Sequence, residues 1–340
     1  MRAAVSTRYG APEVVAVRDV AAPEPGEDEL LIRVDATTVN RTDCAYRAAH
    51  PFFVRSFTGL RRPRRTVLGT EFAGEVVGAG GAVDRFAVGD RVFGYCEGRF
   101  GAHAELLVVQ QDSMVATVPE GIDQASAAAA SEGSHYAAST IRRAGVRPGD
   151  RVLVNGATGA IGSAAVQLLA AMGADVTAVC HREHVELVRG LGASRVIALE
   201  DEEVTRGSQR FEVVIDAVGK STFWRCRRIL APNGVYTSTE LGPGWQNLPL
   251  ALLGLARRSG RRVVFAPPDE GRPMIERIRE QLATGELRPV IDRSYPLERI
   301  VDAYRYVERG QKLGSVIIAV RPDALRLDAG QAEAGDEPRA

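Results

Sequence analysis

The sequence predicts an α/β fold in which a parallel sheet, covered by helices on both faces, follows a separate β-rich region. Three observations lead there. From residue 151 to residue 265, apolar runs of β-formers alternate with stretches of helical spacing, the pattern of a parallel sheet buried on both faces. Residues 1–122 instead carry short apolar runs parted by glycine-bearing turns, which reads as a small barrel or sandwich. At 151–162 a strand, a tight glycine turn and a helix follow one another directly.

The β-rich region opens with residues 1–5 and 14–17, which resemble a hairpin. Further strands are expected at 29–35, 72–78, 91–94 and 104–109. One helical piece, Asn40-Arg-Thr-Asp-Cys-Ala-Tyr-Arg47, lies among them. On a helix, Asn40, Asp43 and Tyr46, or Arg47, are spaced to share one face. Residues 47–66 interleave aromatic and basic side chains. They read either as a lid or phosphate-binding patch at a substrate site, or as a solvated loop anchored by Phe52, Phe53 and Phe57.

In Arg151-Val-Leu-Val-Asn-Gly-Ala-Thr-Gly-Ala-Ile-Gly162, Val152 to Val154 read as a buried strand and Ile161, Ala165, Leu168, Leu169 and Met172 recur at helical spacing. The turn between them has the spacing Ala157-x-Gly159-x-x-Gly162, a dinucleotide fingerprint with alanine in place of the usual first glycine. Gly159 lets backbone N–H groups approach a pyrophosphate, and Gly162 lets the helix pack close to the strand. Thr158, Gly159, Ala160, Ile161 and Gly162 are therefore the expected cofactor contacts.

Later strands are expected at 175–181, 195–199, 211–219, 234–238 and 262–265, with helices at 183–191, 248–256 and 273–284. The strand at 175–181 would end in an acid if the ribose hydroxyls of NAD were to be held. Cys180 occupies that place, followed by His181 and Arg182. A guanidinium suits a 2′-phosphate by charge and by its forked geometry, so NADPH is the expected cofactor. Val218 and Gly219 are expected beside the nicotinamide ribose, with Ser238 ending the next strand at a similar height. Residues 323–340 have no apolar periodicity and read as a disordered tail.

Composition narrows the function. The 340 residues suggest two domains, and 45% hydrophobic with 25% charged residues is ordinary for a soluble globular protein. A net charge of zero offers no electrostatic argument for nucleic acid or a membrane surface. The only lysines are Lys220 and Lys312, a composition bias. Four scattered cysteines have no metal-finger spacing, so a reducing cytoplasm is expected. The first residues do not read as a signal peptide, and no apolar run is long enough to span a bilayer.

Several runs together are specific: Val39-Asn-Arg-Thr-Asp43, Gly69-Thr-Glu-Phe-Ala-Gly-Glu-Val76, Val88-Gly-Asp-Arg-Val-Phe93, Gly101-Ala-His-Ala-Glu105, the Gly156 to Gly162 turn, and Asp216-Ala-Val-Gly219. Over about residues 1–320 the chain resembles the medium-chain dehydrogenase/reductase superfamily, in its zinc-independent quinone oxidoreductase branch. The resemblance implies a chaperonin-10-like β domain at 1–122 and 286–322, and a Rossmann domain at 123–285. It also implies a homodimer formed through the last Rossmann strand, near residues 262–265. In the zinc-dependent relatives a cysteine stands where this chain has Asn40, a histidine where it has Thr70, and a third ligand near Glu132. Asn40 and Thr70 are poor zinc ligands, and Cys96 stands alone where a structural zinc lobe would lie, so no metal is expected. His103 and His135 are expected to be packing or hydrogen-bonding residues.

The resemblance places Asn40 beside the nicotinamide and Tyr46 near the substrate oxygen. Asp43 is expected to orient the loop, and Lys312 lies near the site. A tyrosine that some relatives use as proton donor is missing from His50-Pro-Phe-Phe, which leaves solvent, Tyr46 and His50 as proton sources. Without a metal, hydride acceptors that spread charge into an enolate or hydroquinone are favoured over simple ketones. The expected function is NADPH-dependent reduction of a quinone or α,β-unsaturated carbonyl, a small-molecule substrate. Two alternatives stand beside it: a zinc-free alcohol dehydrogenase, and a catalytically silent NADPH-binding protein.

Overall fold

The computed structural model describes residues 1–256, 260–265 and 267–321; the tail expected at 323–340 lies outside them. The chain begins with an antiparallel pair, β1 (Arg2–Ser6) and β2 (Val15–Asp19). Next comes β3 (Glu29–Val39), whose side chains alternate between buried and half-buried in its first half and are all buried in its second. That change follows from its neighbours. Residues 29–33 pair with β6 (Leu106–Gln110), which leaves one face partly open, while residues 36–39 pair with the strand that returns from the C-terminal end.

Two short helices follow β3, α1 (Arg41–Ala48) and α2 (Val54–Thr58). Then come β4 (Glu71–Ala79), β5 (Arg91–Tyr95) and, after β6, β7 (Met114–Thr117). α3 (Gln124–Ala128) is capped by Asp123, whose carboxylate accepts the Ser126 N–H at 2.8 Å. α4 (Ser131–Ala144) stops at Gly145, which takes the left-handed conformation a helix end favours. β7 and α2 to α4 were not singled out by sequence periodicity, because alanines and small polar residues carry little hydrophobic pattern.

The second half alternates as expected: β8 (Arg151–Asn155), α5 (Ala160–Ala171), β9 (Asp175–Cys180), α6 (Val185–Gly190), β10 (Arg195–Ala198) and β11 (Phe211–Asp216). α7 (Phe223–Cys226), β12 (Leu230–Ser238), α8 (Asn247–Ala256), β13 (Arg262–Val264) and α9 (Arg272–Thr284) complete it. These six strands form one all-parallel sheet in the order β10-β9-β8-β11-β12-β13, the doubly wound arrangement. The chain then returns through β14 (Ile291–Pro296), α10 (Ile300–Glu308) and β15 (Ser315–Ala319). These strands extend the first sheet, giving it the order β14-β15-β3-β4-β5-β7 with β6 also on β3.

Several expected boundaries shift: β3 runs on to Val39 and β12 begins at Leu230 rather than 234, and two further shifts have local causes. The strand expected at 211–219 ends at Asp216, whose side chain accepts the Ser221 N–H at 2.8 Å and turns the chain. The helix expected at 183–191 is split, with a single 3-10 turn at Arg182–His184 before α6.

One buried cluster spans both sheets, and each sheet packs a further cluster of its own. Ala36, Phe93 and Ile317 of the first sheet pack into the same buried cluster as Val152, Val154 and Ile215 of the second. The link is the run Ala127, Ala128, Ala129 and Ala130, all buried. Small side chains let the two layers close without a gap. On the parallel sheet, close approach is also demanded at Gly162. A Cβ there would overlap the Gly156 carbonyl, whereas a Cβ at Gly159 would meet nothing nearer than 3.8 Å. Gly162→Ala is therefore expected to cost about 2–3 kcal/mol in urea unfolding and Gly159→Ala under about 1 kcal/mol. Equal costs would disprove the close approach.

Candidate active site

The parallel sheet reverses its winding between β8 and β11, and a crevice opens at the carboxyl ends of such strands. Its floor is a hydrogen bond across the reversal, from Asn155 Nδ2 to Asp216 Oδ1 at 3.0 Å. Buried Asp216 also accepts from Ser221 N–H at 2.8 Å and from the Tyr236 hydroxyl at 3.2 Å. Sequence reading quoted Asp216 only as part of a motif and missed Asn155; their contact depends on β8 and β11 being neighbours.

Above this floor runs the glycine turn. Gly159 is the N-cap of α5, and Ser163 N–H, the first inside the helix, donates to Gly159 O at 2.8 Å. The N–H groups of Ala160, Ile161 and Gly162 precede that bond and are left for a ligand. Thr158, Gly159, Ala160 and Ile161 are half-buried, and the space over Gly159 is open. This donor set fits a pyrophosphate at a helix N-terminus.

At one end of the turn, β9 stops at buried Cys180, whose thiol burial pushes up to about 11. His181 and Arg182 stand exposed beyond it. β10 pairs in parallel with β9, with Ala198 opposite Cys180, so Glu200 and Asp201 emerge beside them. Glu200 accepts from His181 Nδ1 at 2.8 Å and from Arg182 N–H at 3.0 Å, while Arg182 is ion-paired with Asp201. The His181 contact holds the Glu200 carboxyl below its ordinary range. Sequence reading missed both acids because they follow a different strand, β10, and meet Arg182 only through its pairing with β9.

At the other end, Val218 is part-exposed and Gly219 takes φ +65°. Ser238 is buried, and its Oγ accepts the Glu240 N–H at 3.2 Å. Burial pushes the Glu240 carboxyl up.

Facing this crevice is the start of α1. Asn40 and Asp43 form a reciprocal capping box: Asn40 Oδ1 accepts Asp43 N–H at 2.8 Å, and Asp43 Oδ2 accepts Asn40 N–H at 3.2 Å. Asp43 Oδ1 also accepts Gly69 N–H at 3.2 Å. Fully buried, the Asp43 carboxyl is pushed well up, mainly by desolvation. Asn40, Asp43 and Tyr46 therefore do not present one shared polar face. Asn40 caps the helix, Asp43 points inward, and Tyr46 Oη donates to Glu97 Oε1 at 2.9 Å. The Tyr95 hydroxyl donates to the other Glu97 oxygen at 2.6 Å. Glu97 was missed in the sequence, where nothing marks it.

Asn40 Nδ2 donates to Thr70 Oγ1 at 2.8 Å. Nearby, Glu71 accepts from Thr38 Oγ1 at 2.5 Å and from Glu132 N–H at 2.7 Å, and Glu132 accepts from Thr42 Oγ1 at 2.7 Å. Half-buried Lys312 bonds the Gly314 carbonyl. Desolvation pushes the Lys312 ammonium down, against the opposing pull of Glu132 and Glu71. An amide and a hydroxyl that bind each other, beside carboxylates already holding hydroxyls and N–H groups, do not fit zinc. Among the described residues no three His, Cys, Asp or Glu side chains gather to hold a metal. His103 and His135 are buried, bond the Thr38 and Ser131 carbonyls at 2.7 and 2.9 Å, and are pushed down to about 4 by desolvation.

The segment after α1 reaches the residues that follow β12. The Phe53 ring meets Trp245, which follows β12, at a centroid distance of 5.4 Å. His50 is exposed. Between this segment and α1 is a cavity of about 270 Å³, walled by Tyr46, Phe57, Phe100 and Arg64 among others.

Residues 26–120 match the alcohol dehydrogenase GroES-like domain family, and residues 191–318 match the zinc-binding dehydrogenase family. Quinone oxidoreductase of Pseudomonas aeruginosa is 30% identical, over 91% of this chain and 97% of its own. The 2-methylene-furan-3-one reductase of Solanum lycopersicum is 29% identical over 94% of this chain and 79% of its own. NADPH-dependent alkenal/one oxidoreductase of Arabidopsis thaliana is 28% identical, with the same coverage. Among solved structures, quinone oxidoreductase from Coxiella burnetii superposes with a TM-score of 0.84 at 24% identity, covering 94% of this chain and 99% of its own.

Burial raises the Glu132 carboxyl well above its ordinary range. A raised folded-state value stabilises below the unfolded value and is lost as pH rises through the folded one. Glu132→Gln removes the ionisable group and keeps the acceptor for Thr42. The wild type should therefore lose Tm relative to E132Q as pH rises from 4 to 9, a gap widening by on the order of 2 °C or more. Parallel Tm curves would rule the assignment out.

Proposed function

This chain belongs to the medium-chain dehydrogenase/reductase superfamily, in its quinone oxidoreductase-like group, and we propose that it is a zinc-independent, NADPH-dependent reductase of quinones or α,β-unsaturated carbonyls. An oxidoreductase using a nicotinamide cofactor follows from the family. The finer reading is carried by one observation: Asn40 and Thr70 hydrogen-bond each other where zinc-dependent relatives supply metal ligands. Reduction of a simple ketone concentrates charge on one oxygen and gains most from a Lewis acid, whereas an enone or quinone spreads that charge. Relatives named as quinone and alkenal/one oxidoreductases support the same class.

Bound nicotinamide supplies a hydride, and the protein positions it. The N–H groups of Ala160, Ile161 and Gly162, with Thr158 and Gly159, would hold the pyrophosphate. Val218, Gly219 and Ser238 would flank the nicotinamide ribose. Asn40 would face the ring, fixed by its capping box with Asp43. Tyr46 is a poor proton donor here, since burial and the Glu97 carboxylate push its hydroxyl pKa up. Solvent is the proposed proton source, with Tyr46 lining the acceptor's path.

Arg182 supports the NADPH reading. It is exposed, at the end of β9, and would exchange part of its pairing with Asp201 for a 2′-phosphate. β13 is an edge strand, and α8 beside it exposes Leu252 and Leu253, which supports a homodimer formed through that edge. No helix among the described residues is long and apolar enough to cross a membrane. Four unpaired cysteines support a reducing compartment, the cytoplasm.

The test is cofactor consumption by chelator-treated protein with quinones, enones and aldehydes, NADPH and NADH in parallel. Rapid turnover of quinones or enones with NADPH is expected, and Arg182→Ala should raise the KM for NADPH about tenfold with little change for NADH. Alcohol oxidation by NADP⁺ without enone turnover would favour the alcohol dehydrogenase alternative. Tight NADPH binding with no acceptor reduced would favour a silent binding protein.

A further inference from the structure

The cavity beside Tyr46 has charge of one sign. Phe57, Phe100 and Tyr46 give it aromatic walls, and its only charged lining residues are Arg47, Arg64 and Arg65. Arg64 and Arg65 are exposed at its mouth, and neither guanidinium has an acid or hydrogen-bond partner among the described residues. Some surface arginines find acids, as Arg33 does with Glu75, Arg99 with Glu29 and Arg151 with Glu212; Arg61 and Arg62, outside the cavity lining, resemble Arg64 and Arg65 in having none among the described residues. Arg47 is buried below them. Its amino groups bond the Gly10 carbonyl and Glu308, but its buried Nε has no partner among the described residues. A buried donor without an acceptor is costly, and a polar ligand atom in the cavity would relieve it.

Guanidinium forks match carboxylate and phosphate oxygens, and aromatic walls suit a planar apolar body. About 270 Å³ accommodates one ring or a short chain. Tyr46 lines this cavity on α1, the helix that Asn40 caps, about 9 Å along the axis from Asn40 and on a different face.

We propose that the cavity binds the anionic end of an elongated acceptor. A carboxylate or phosphate would sit on Arg64 and Arg65, a planar body between Phe57 and Phe100, and the reducible group beyond Tyr46 toward Asn40. This assignment rests on the reading of the protein as a reductase of conjugated acceptors.

A matched pair separates charge from shape: a benzoquinone joined through a short alkyl linker to a benzoic acid, and its methyl ester. The acid-to-ester ratio of kcat/KM with NADPH is expected to exceed about tenfold in wild type, to fall to about one in R64Q/R65Q, and to persist in R61Q/R62Q, which removes equal charge outside the cavity lining. A wild-type ratio near one, or equal loss in both double variants, would overturn the proposal. Binding of the acid is also read without cofactor, by equilibrium dialysis. If neither quinone is reduced, yet the acid binds wild type and R61Q/R62Q but not R64Q/R65Q, the site stands and the reductase reading fails. If the ester is reduced and the acid does not bind, the reductase reading stands and the site fails.

Discussion

Gly314 N–H donates to Thr158 O at 2.6 Å, and those two residues adjoin strands of different sheets. Thr158 sits in the glycine turn after β8; Gly314 immediately precedes β15, which belongs to the first sheet. A second pairing lies alongside. The Gln167 side chain on α5 accepts Arg288 N–H at 2.9 Å and donates to Arg288 O at 3.1 Å, as a neighbouring strand would. The crevice between the sheets depends on these contacts, because they fix the first sheet over the helix terminus that faces a pyrophosphate. Gly314 tolerates no side chain: its φ is +50° and a Cβ would overlap the Val290 carbonyl. Each hydrogen bond is worth only about 1 kcal/mol net, but a buried backbone group left unpaired costs more.

The same return brings Lys312 beside the buried acids. Asp43, Glu71 and Glu132 are each nearly inaccessible, a concentration of carboxyls that would be costly without partners. Each instead braces a backbone group or hydroxyl: Asp43 holds Asn40 and Gly69, Glu71 holds Thr38 and the start of α4, and Glu132 holds Thr42. In this arrangement the acids position α1 and Asn40. Burial favours their protonated forms, which limits the charge that Lys312 must offset.

Much of this site was legible in residue order. The alternation of β-formers and helical spacing after residue 151 yielded the parallel sheet, because both signals are local and strong. The Gly156 to Gly162 turn was readable for the same reason: its chemistry lies in one continuous stretch of backbone. Asn40 was identified by the runs around it, while its partnership with Thr70 joins residues thirty positions apart. The acids beside Arg182 were missed, since Glu200 and Asp201 reach it only through the pairing of β9 with β10. Tyr46 was expected to face a substrate oxygen; its proton is engaged by Glu97, fifty-one positions away.

By itself, the sequence determined the fold class, the dinucleotide turn and the family, since each is written in short-range periodicity or in contiguous motifs. Only the tertiary structure decided which polar atoms are free to meet a ligand. That depends on which groups already have partners, and a residue's partner is chosen by sheet order and helix packing, not by its neighbours in the chain. Hence Ala160, Ile161 and Gly162 keep N–H groups available, Asp43 and Glu71 are occupied by the scaffold, and Arg64 and Arg65, at the mouth of a cavity, find no partner among the described residues.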